Sequence, residues 1–183
     1  MLAAAGLALE AVSPDVDEGE IKRAMAAEQA PPEAVAGALA ETKAVRVSRR
    51  HPGALVIGAD LVLVCDGRMF DKAADLDEAR ANLRAIAGRT HELVCATAVV
   101  RDGAVIWRHC ERPRLSMRPL DEAEIERYLA QAGAAVLNSV GAYHLEGRGA
   151  QLFERVEGDF FSILGLPLLP LLAFLRQHDI VPG

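Results

Sequence analysis

Positive charge is in short supply in this chain. Twenty Lys and Arg stand against 26 Asp and Glu, a formal net charge of −6. That balance argues against a nucleic-acid footprint, which needs a basic stripe or patch. It leaves room for a nucleotide ligand, because a few local lysines and a metal ion hold phosphates on an acidic protein. Cysteine is scarce too. Cys65, Cys95 and Cys110 are odd in number, lie in apolar segments and show no C-x-x-C spacing, so they read as reduced core residues of a cytoplasmic protein. The five histidines are scattered without zinc spacing. No secretory leader is expected, since residues 1–9 have no basic n-region or cleavage site. Long apolar runs are missing as well. The best candidate, residues 160–175, is uncharged but shorter than the roughly 20 residues a spanning helix needs, and Pro167 and Pro170 interrupt it. A buried C-terminal helix is the reading there, with no membrane association. Repeats, low-complexity tracts and long linkers are also lacking.

What is present is a core. At 51% apolar and 25% charged residues over 183 positions, disorder is excluded and one domain with a sizeable interior is expected. Residues 1–5 read as the tail of a helix stopped by Gly6, and 7–12 as a short strand. A helix follows from about residue 18 to 27, and a longer one opens at Pro31-Pro32 and runs to about Arg50. Residues 54–57 are continuously apolar, the pattern of a strand buried on both faces, with Gly58 and Asp60 at its end. A second apolar run, 61–65, is closed by the hairpin signal Asp66-Gly67. Asp75 with Glu78 caps a helix to Ala87. Residues 92–100 form a strand apolar on both faces, hence central, and Asp102-Gly103 turns it into another that extends toward Met117. Asp121 starts a helix to about Gln131. Residues 141–149 read as a loop around one short strand, 151–156 as a further extended piece, and 167–177 as the last helix. Helices alternating with buried strands and hairpins give an α/β fold with a mixed sheet. Residues 55–57 and 93–99 are expected to be its segments buried on both faces.

Charged groups recur at the ends of these elements: Asp17 and Glu18 at a helix start, Glu41 and Lys43 in a helix, Asp60 after a buried strand, Lys72 after the hairpin. A carboxylate at the end of a buried strand is where open α/β sheets place ligand chemistry. Glu18 and Asp60 suit a hard divalent cation, and Lys43 and Lys72 suit phosphate oxygens. Those are the parts that phosphoanhydride hydrolysis needs, since its catalysis is mostly positioning and charge neutralisation. Composition and spacing alone leave each of them equally readable as a solvated surface charge.

The segments resemble the Maf family of nucleoside triphosphate pyrophosphatases, in the family's order across nearly the whole chain. Val16-Asp17-Glu18 resembles its early acidic motif and Ala40-Glu41-Thr42-Lys43-Ala44 its helix lysine motif. Ile57-Gly58-Ala59-Asp60 and Phe70-Asp71-Lys72 resemble its central aspartate and following lysine. Ala87-Gly88-Arg89-Thr90-His91, Gly141-Ala142-Tyr143 with Glu146-Gly147, Gly158-Asp159-Phe160 and Gly165-Leu166-Pro167-Leu168 match the remainder.

The resemblance implies an elongated mixed sheet flanked by helices, related to the inosine triphosphate pyrophosphatase fold, with two lobes and a cleft between them in one domain spanning residues 1–183. It implies metal-dependent hydrolysis, with Mg²⁺ or Mn²⁺, of standard or non-standard nucleoside triphosphates to the monophosphate and pyrophosphate. Asp60 would be the general base and a metal-holding carboxylate, Glu18 a metal ligand, and Lys43 and Lys72 the grip on the triphosphate. Arg89 and His91 read as structural, Arg89 by capping carbonyls. A homodimer is the implied assembly. The other functional reading is a Maf-like protein that binds nucleotide or a partner without turnover, linked to division control.

Family members begin with a strand and a Ser-x-Ser-Pro-Arg-Arg-type phosphate loop, and Met1-Leu2 aligns with the helix behind it. The resemblance therefore describes an N-terminally shortened chain. Leu61 stands where many members have threonine, Ala73 where they have proline, Glu146 where glutamine is common, and Asn138-Ser139 where they have Asp-Lys. Leu61 and Glu146 are accordingly the candidate base-specificity positions.

Overall fold

A computed structural model of the protein describes residues 1–181. It is an α/β fold whose strands join in one sheet, in the order β2-β1-β3-β5-β6, with β4 also on β3. The strands are β1 (Val56–Cys65), β2 (Arg68–Phe70), β3 (Thr90–Arg101), β4 (Ala104–Glu111), β5 (Arg114–Met117) and β6 (Phe153–Glu157). The helices are α1 (Glu18–Ala27), α2 (Pro32–Ser48), α3 (Leu76–Ile86), α4 (Glu122–Ala132), α5 (Phe160–Ile163) and α6 (Leu168–Gln177). The pairings β1–β2, β3–β4, β3–β5 and β5–β6 are antiparallel. No helix of the described residues is long and apolar enough to cross a membrane.

The chain resolves into two compact units. One holds Met1–Leu61, Cys95–Glu111 and the C-terminal segment from Phe160, the other Val62–Val94 and Arg112–Asp159. In the first unit, α2 buries Val35, Ala36, Leu39, Ala40, Ala44 and Val47. Register shows how the pleat divides the two sides of β3–β4. Val99 opposes Trp107, which stacks on Phe174 of α6. The next pair, Ala98 and Arg108, turns the other way, and Arg108 bonds Glu41 of α2 through both carboxylate oxygens, at 2.6 and 2.9 Å. On the α6 side, Glu111 accepts from the wholly buried Ser162 at 2.8 Å and lies 3.0 Å from the His109 ring. Gly58 sets the spacing between α2 and β1. A Cβ there would lie 2.3 Å from the Ala40 carbonyl oxygen and 2.9 Å from the Ala44 Cβ.

In the second unit, α3 and α4 are laced by Arg80 to Glu126 and Arg84 to Glu122 over the buried Leu83, Ile86, Ile125 and Leu129. These exposed pairs orient the helices more than they stabilise them. Asp121 and Glu124 form a full capping box on α4, whereas Glu78 of α3 accepts from Ala74 N while Asp75 caps Glu78 N. His91, 1% exposed, bonds the Tyr143 hydroxyl at 2.7 Å, and both rings pack on Phe153. The other ring nitrogen, Nδ1, is buried without a partner. Burial holds His91 down at about 4 and pushes the Tyr143 hydroxyl far above its ordinary value.

Both turns read from Asp-Gly pairs are left-handed at both residues, with φ of 49° and 78° at Asp66-Gly67 and 50° and 77° at Asp102-Gly103. The expected burial of 93–99 holds throughout. That of 55–57 does not: Leu55, Val56 and Ile57 are half-buried, because β2 pairs only with Leu63, Val64 and Cys65 at the other end of β1. Residues 7–12 form no strand; Leu7 and Val12 are half-buried, the four between are exposed, and no ladder partner holds them. Pro113 separates β4 from β5, which the sequence ran together, and 141–149 contain no strand but turns and the start of a 3₁₀ segment, Arg148–Leu152. Cys110 is exposed on β4, unlike the buried Cys65 and Cys95.

Two outcomes follow from this packing. Gly58→Ala should cost about 1–3 kcal/mol, since the added methyl meets backbone rather than a movable side chain; chemical denaturation measures it, and an unchanged midpoint would show that α2 and β1 can separate freely. His91 has a folded pKa below the roughly 6.5 of an unfolded chain, so stability tied to its neutral form is complete above that value and is lost as pH falls toward 4. Between pH 7 and 4 the parent should lose up to about 3 kcal/mol more than His91→Leu, which has nothing to titrate. Parallel profiles would show that His91 protonates freely in the fold.

Candidate functional site

Three residues far apart in sequence meet in the first unit. Glu18 is the first residue of α1, whose N-cap Asp17 accepts from Glu20 N at 3.0 Å. Lys43 lies in the fourth turn of α2, and Asp60 in the middle of β1. The Lys43 ammonium donates to Asp60 Oδ1 at 2.6 Å and lies 2.8 Å from Glu18 Oε1. The Asp60 side chain is 9% exposed, Lys43 18% and Glu18 44%. Burial raises the Asp60 pKa above the ordinary aspartate value, and the bond to Lys43 only partly offsets it. Burial also disfavours the Lys43 ammonium, but its bonds to Asp60 and Glu18 outweigh this and leave its pKa raised.

The position of Asp60 corrects the sequence reading. Gly58 and Asp60 do not end a strand; β1 runs unbroken through them to Cys65. Gly58 is there for the close approach to α2, which brings the lysine-bearing helix against the strand, two residues before the carboxylate. The other early charges serve the scaffold. Asp17 is a cap, and Glu41 turns to Arg108. Arg89 bonds the Asp66 carboxylate in the hairpin turn rather than any carbonyl. Leu61, half-buried, directly follows Asp60 on β1. Lys72 and Glu146 are exposed residues of the second unit. Lys22 was missed. It follows Glu18 by one turn of α1, and its positive charge reaches Asp60; the i, i+4 spacing from Glu18 was the available signal.

A groove of about 590 Å³ in the first unit reaches Lys43 and runs along β1, between residues such as Leu7, Val12, Ile57, Ala59 and Leu175. Among the described residues no three acidic, histidine or cysteine side chains converge as a metal cluster. Two carboxylates do converge on one cation, the Lys43 ammonium. Hard oxygen donors in that number fit Mg²⁺, which commonly takes one or two carboxylates and completes its shell with water and phosphate oxygens.

The family model described as Maf-like protein matches residues 1–178. A protein of Paramagnetospirillum magneticum named nucleoside triphosphate pyrophosphatase is 56% identical over 183 residues, covering all of this chain and 94% of the relative. One of Granulibacter bethesdensis with the same name is 53% identical over 179 residues, 98% of this chain and 91% of the relative. A 7-methyl-GTP pyrophosphatase of Mesorhizobium japonicum is 51% identical over 183 residues, all of this chain and 92% of the relative. With a family model across nearly its full length and relatives above half identity, the chain belongs to the Maf family.

Proposed function

We propose that this protein is a nucleoside triphosphate pyrophosphatase, releasing pyrophosphate and a nucleoside monophosphate. The observation that carries the reading is the Asp60–Lys43–Glu18 cluster, in a chain more than half identical to relatives bearing that name. In the reaction, water adds at the α-phosphorus, the bond to the α–β bridging oxygen breaks, and pyrophosphate departs with that oxygen. Asp60 takes the proton of the attacking water. Its burial suits the task, because a carboxylate with a raised pKa is a better proton acceptor than a solvated one. Lys43 and Lys72 hold phosphate oxygens as point charges. Glu18 and Asp60 would hold a divalent cation, which supplies charge neutralisation on the phosphates when bound. Three cysteines kept as thiols rather than disulfides suit a reducing cytoplasm, where nucleotides are found.

Asp60→Asn preserves shape while removing charge and proton acceptor. Turnover with saturating Mg²⁺ or Mn²⁺ should fall by about 10²–10⁴-fold in a variant whose cooperative thermal melting shows that it is folded. Near-parental turnover in the folded variant would end the assignment of Asp60 as base. A parent that binds triphosphates without releasing pyrophosphate from any of them would instead make this a binding protein.

Base preference is assigned to Leu61 and Glu146. Relatives of similar identity carry two names, one specifying 7-methyl-GTP. An apolar side chain and an anion offer a base edge different hydrogen-bonding options from threonine and glutamine. Leu61→Thr with Glu146→Gln should reorder kcat/KM among triphosphates, 7-methyl-GTP included. An unchanged ranking would mean that neither position faces the base.

A further inference from the structure

The carboxylates assigned to the metal already hold a cation. Lys43 Nζ sits 2.6 Å from Asp60 Oδ1 and 2.8 Å from Glu18 Oε1, whereas Mg²⁺ would need those oxygens at about 2.0–2.1 Å. An ammonium and a divalent ion cannot share the space between one pair of oxygens. For the metal to enter, Lys43 must give up two charge-assisted bonds at a position largely shielded from water, where an unpaired charge is costly. That cost disappears if the ammonium moves onto another anion at the same step, and a triphosphate is such an anion. The protein also supplies too few ligands to hold the metal by itself, since no third acidic, histidine or cysteine group joins these two among the described residues.

We infer that Lys43 occupies the cation position of this site until the triphosphate arrives. Resting on the pyrophosphatase reading, this makes Lys43 a competitor of the metal in the nucleotide-free protein and a phosphate ligand in the complex. Free divalent metal binds the resting protein weakly, and metal and triphosphate favour each other's binding. By linkage the coupling is reciprocal: whatever factor the nucleotide adds to metal affinity, the metal adds to nucleotide affinity.

The test is Mn²⁺ binding to nucleotide-free protein, read from the electron paramagnetic resonance signal of free Mn²⁺, and so independent of turnover. Lys43→Met and Lys43→Gln remove the competing charge while leaving both carboxylates. Each should bind Mn²⁺ at least about tenfold more tightly than the parent, a difference of about 1.4 kcal/mol. Thermal melting of the same variants should show a larger Mn²⁺-induced rise than the parent's, which also serves a variant that is marginally folded without metal. Adding Glu18→Gln to either variant should abolish the gain and so locate it at these carboxylates. Unchanged or weaker Mn²⁺ binding on loss of Lys43 would overturn the inference, because Lys43 would then assist the metal or ignore it. A gain that survives Glu18→Gln would overturn it too, by placing the metal elsewhere. Parent turnover that persists under chelation would defeat the metal-dependent reading of function instead, and it is measured separately from these binding curves.

Discussion

Much of the first unit depends on how closely α2 lies against β1. The small residues Ala36, Ala40 and Ala44 recur every fourth position along α2, all buried, and the last two meet β1 at Gly58. Small side chains on the helix and none on the strand let the two backbones come almost into contact, and a methyl group at Gly58 would already sit inside the Ala40 carbonyl. Lys43 precedes Ala44 on the helix and Asp60 follows Gly58 by two on the strand, with its side chain on the same side as a Cβ at 58 would be. The contact that excludes a side chain at 58 therefore brings an ammonium to a carboxylate at 60. Packing and chemistry share one constraint here.

The cluster so formed is unbalanced by design of its charges: two carboxylates and one ammonium, with Asp60 shielded from water. A buried ion pair contributes little to stability in general, because desolvation offsets the Coulomb attraction. Its value here lies in keeping Asp60 charged and in place while burial raises its pKa. The polar pair of the second unit shows the opposite solution. His91 and Tyr143 are both held neutral by burial and bonded to each other among aromatic rings, and they make a specific core contact with no charge to offer a ligand. One buried polar group is kept charged by a lysine, the other is kept neutral by having no such neighbour.

The features legible in the sequence were those with a local cause. Asp-Gly turns, the Asp75 cap, the helix start at Asp121, the prolines opening α2 and the continuous apolar run of β3 depend on neighbouring residues alone, and they emerge where expected. What was misread depends on partners distant in sequence. Residues 7–12 have an acceptable strand pattern, but a strand needs a ladder and none meets them. Gly58 looks like a terminator until α2 is placed beside it. Leu55 and Ile57 look like a fully buried strand until β2 proves too short to flank them. Glu41 and Lys43, two apart on a helix, point to different sides, one to Arg108 and the other to Asp60. Glu18 and Asp60 pair in the sequence reading as carboxylates suited to a divalent cation; that both converge on Lys43 is visible only in three dimensions.

The three members of the cluster are not equally anchored, and this bears on the exchange of cations proposed for the site. Lys43 and Asp60 project from α2 and β1, elements with many buried residues. Glu18 projects from α1, which has no buried residue at all. The approach to α1 is tied down by exposed polar contacts: Arg50 to the Ser13 carbonyl at 2.7 Å and to Asp15 at 3.1 Å, and the Asp17 cap. Segments held by few apolar contacts and by exposed hydrogen bonds open at a lower free energy than packed ones. Asp60 thus fixes where the Lys43 ammonium is held, while Glu18 reaches it from the least buried of the three elements. Under the exchange of cations proposed above, Glu18 would be the ligand that adjusts from the longer ammonium contact to the shorter one of a metal, because α1 is the element with the least packing to oppose a small shift.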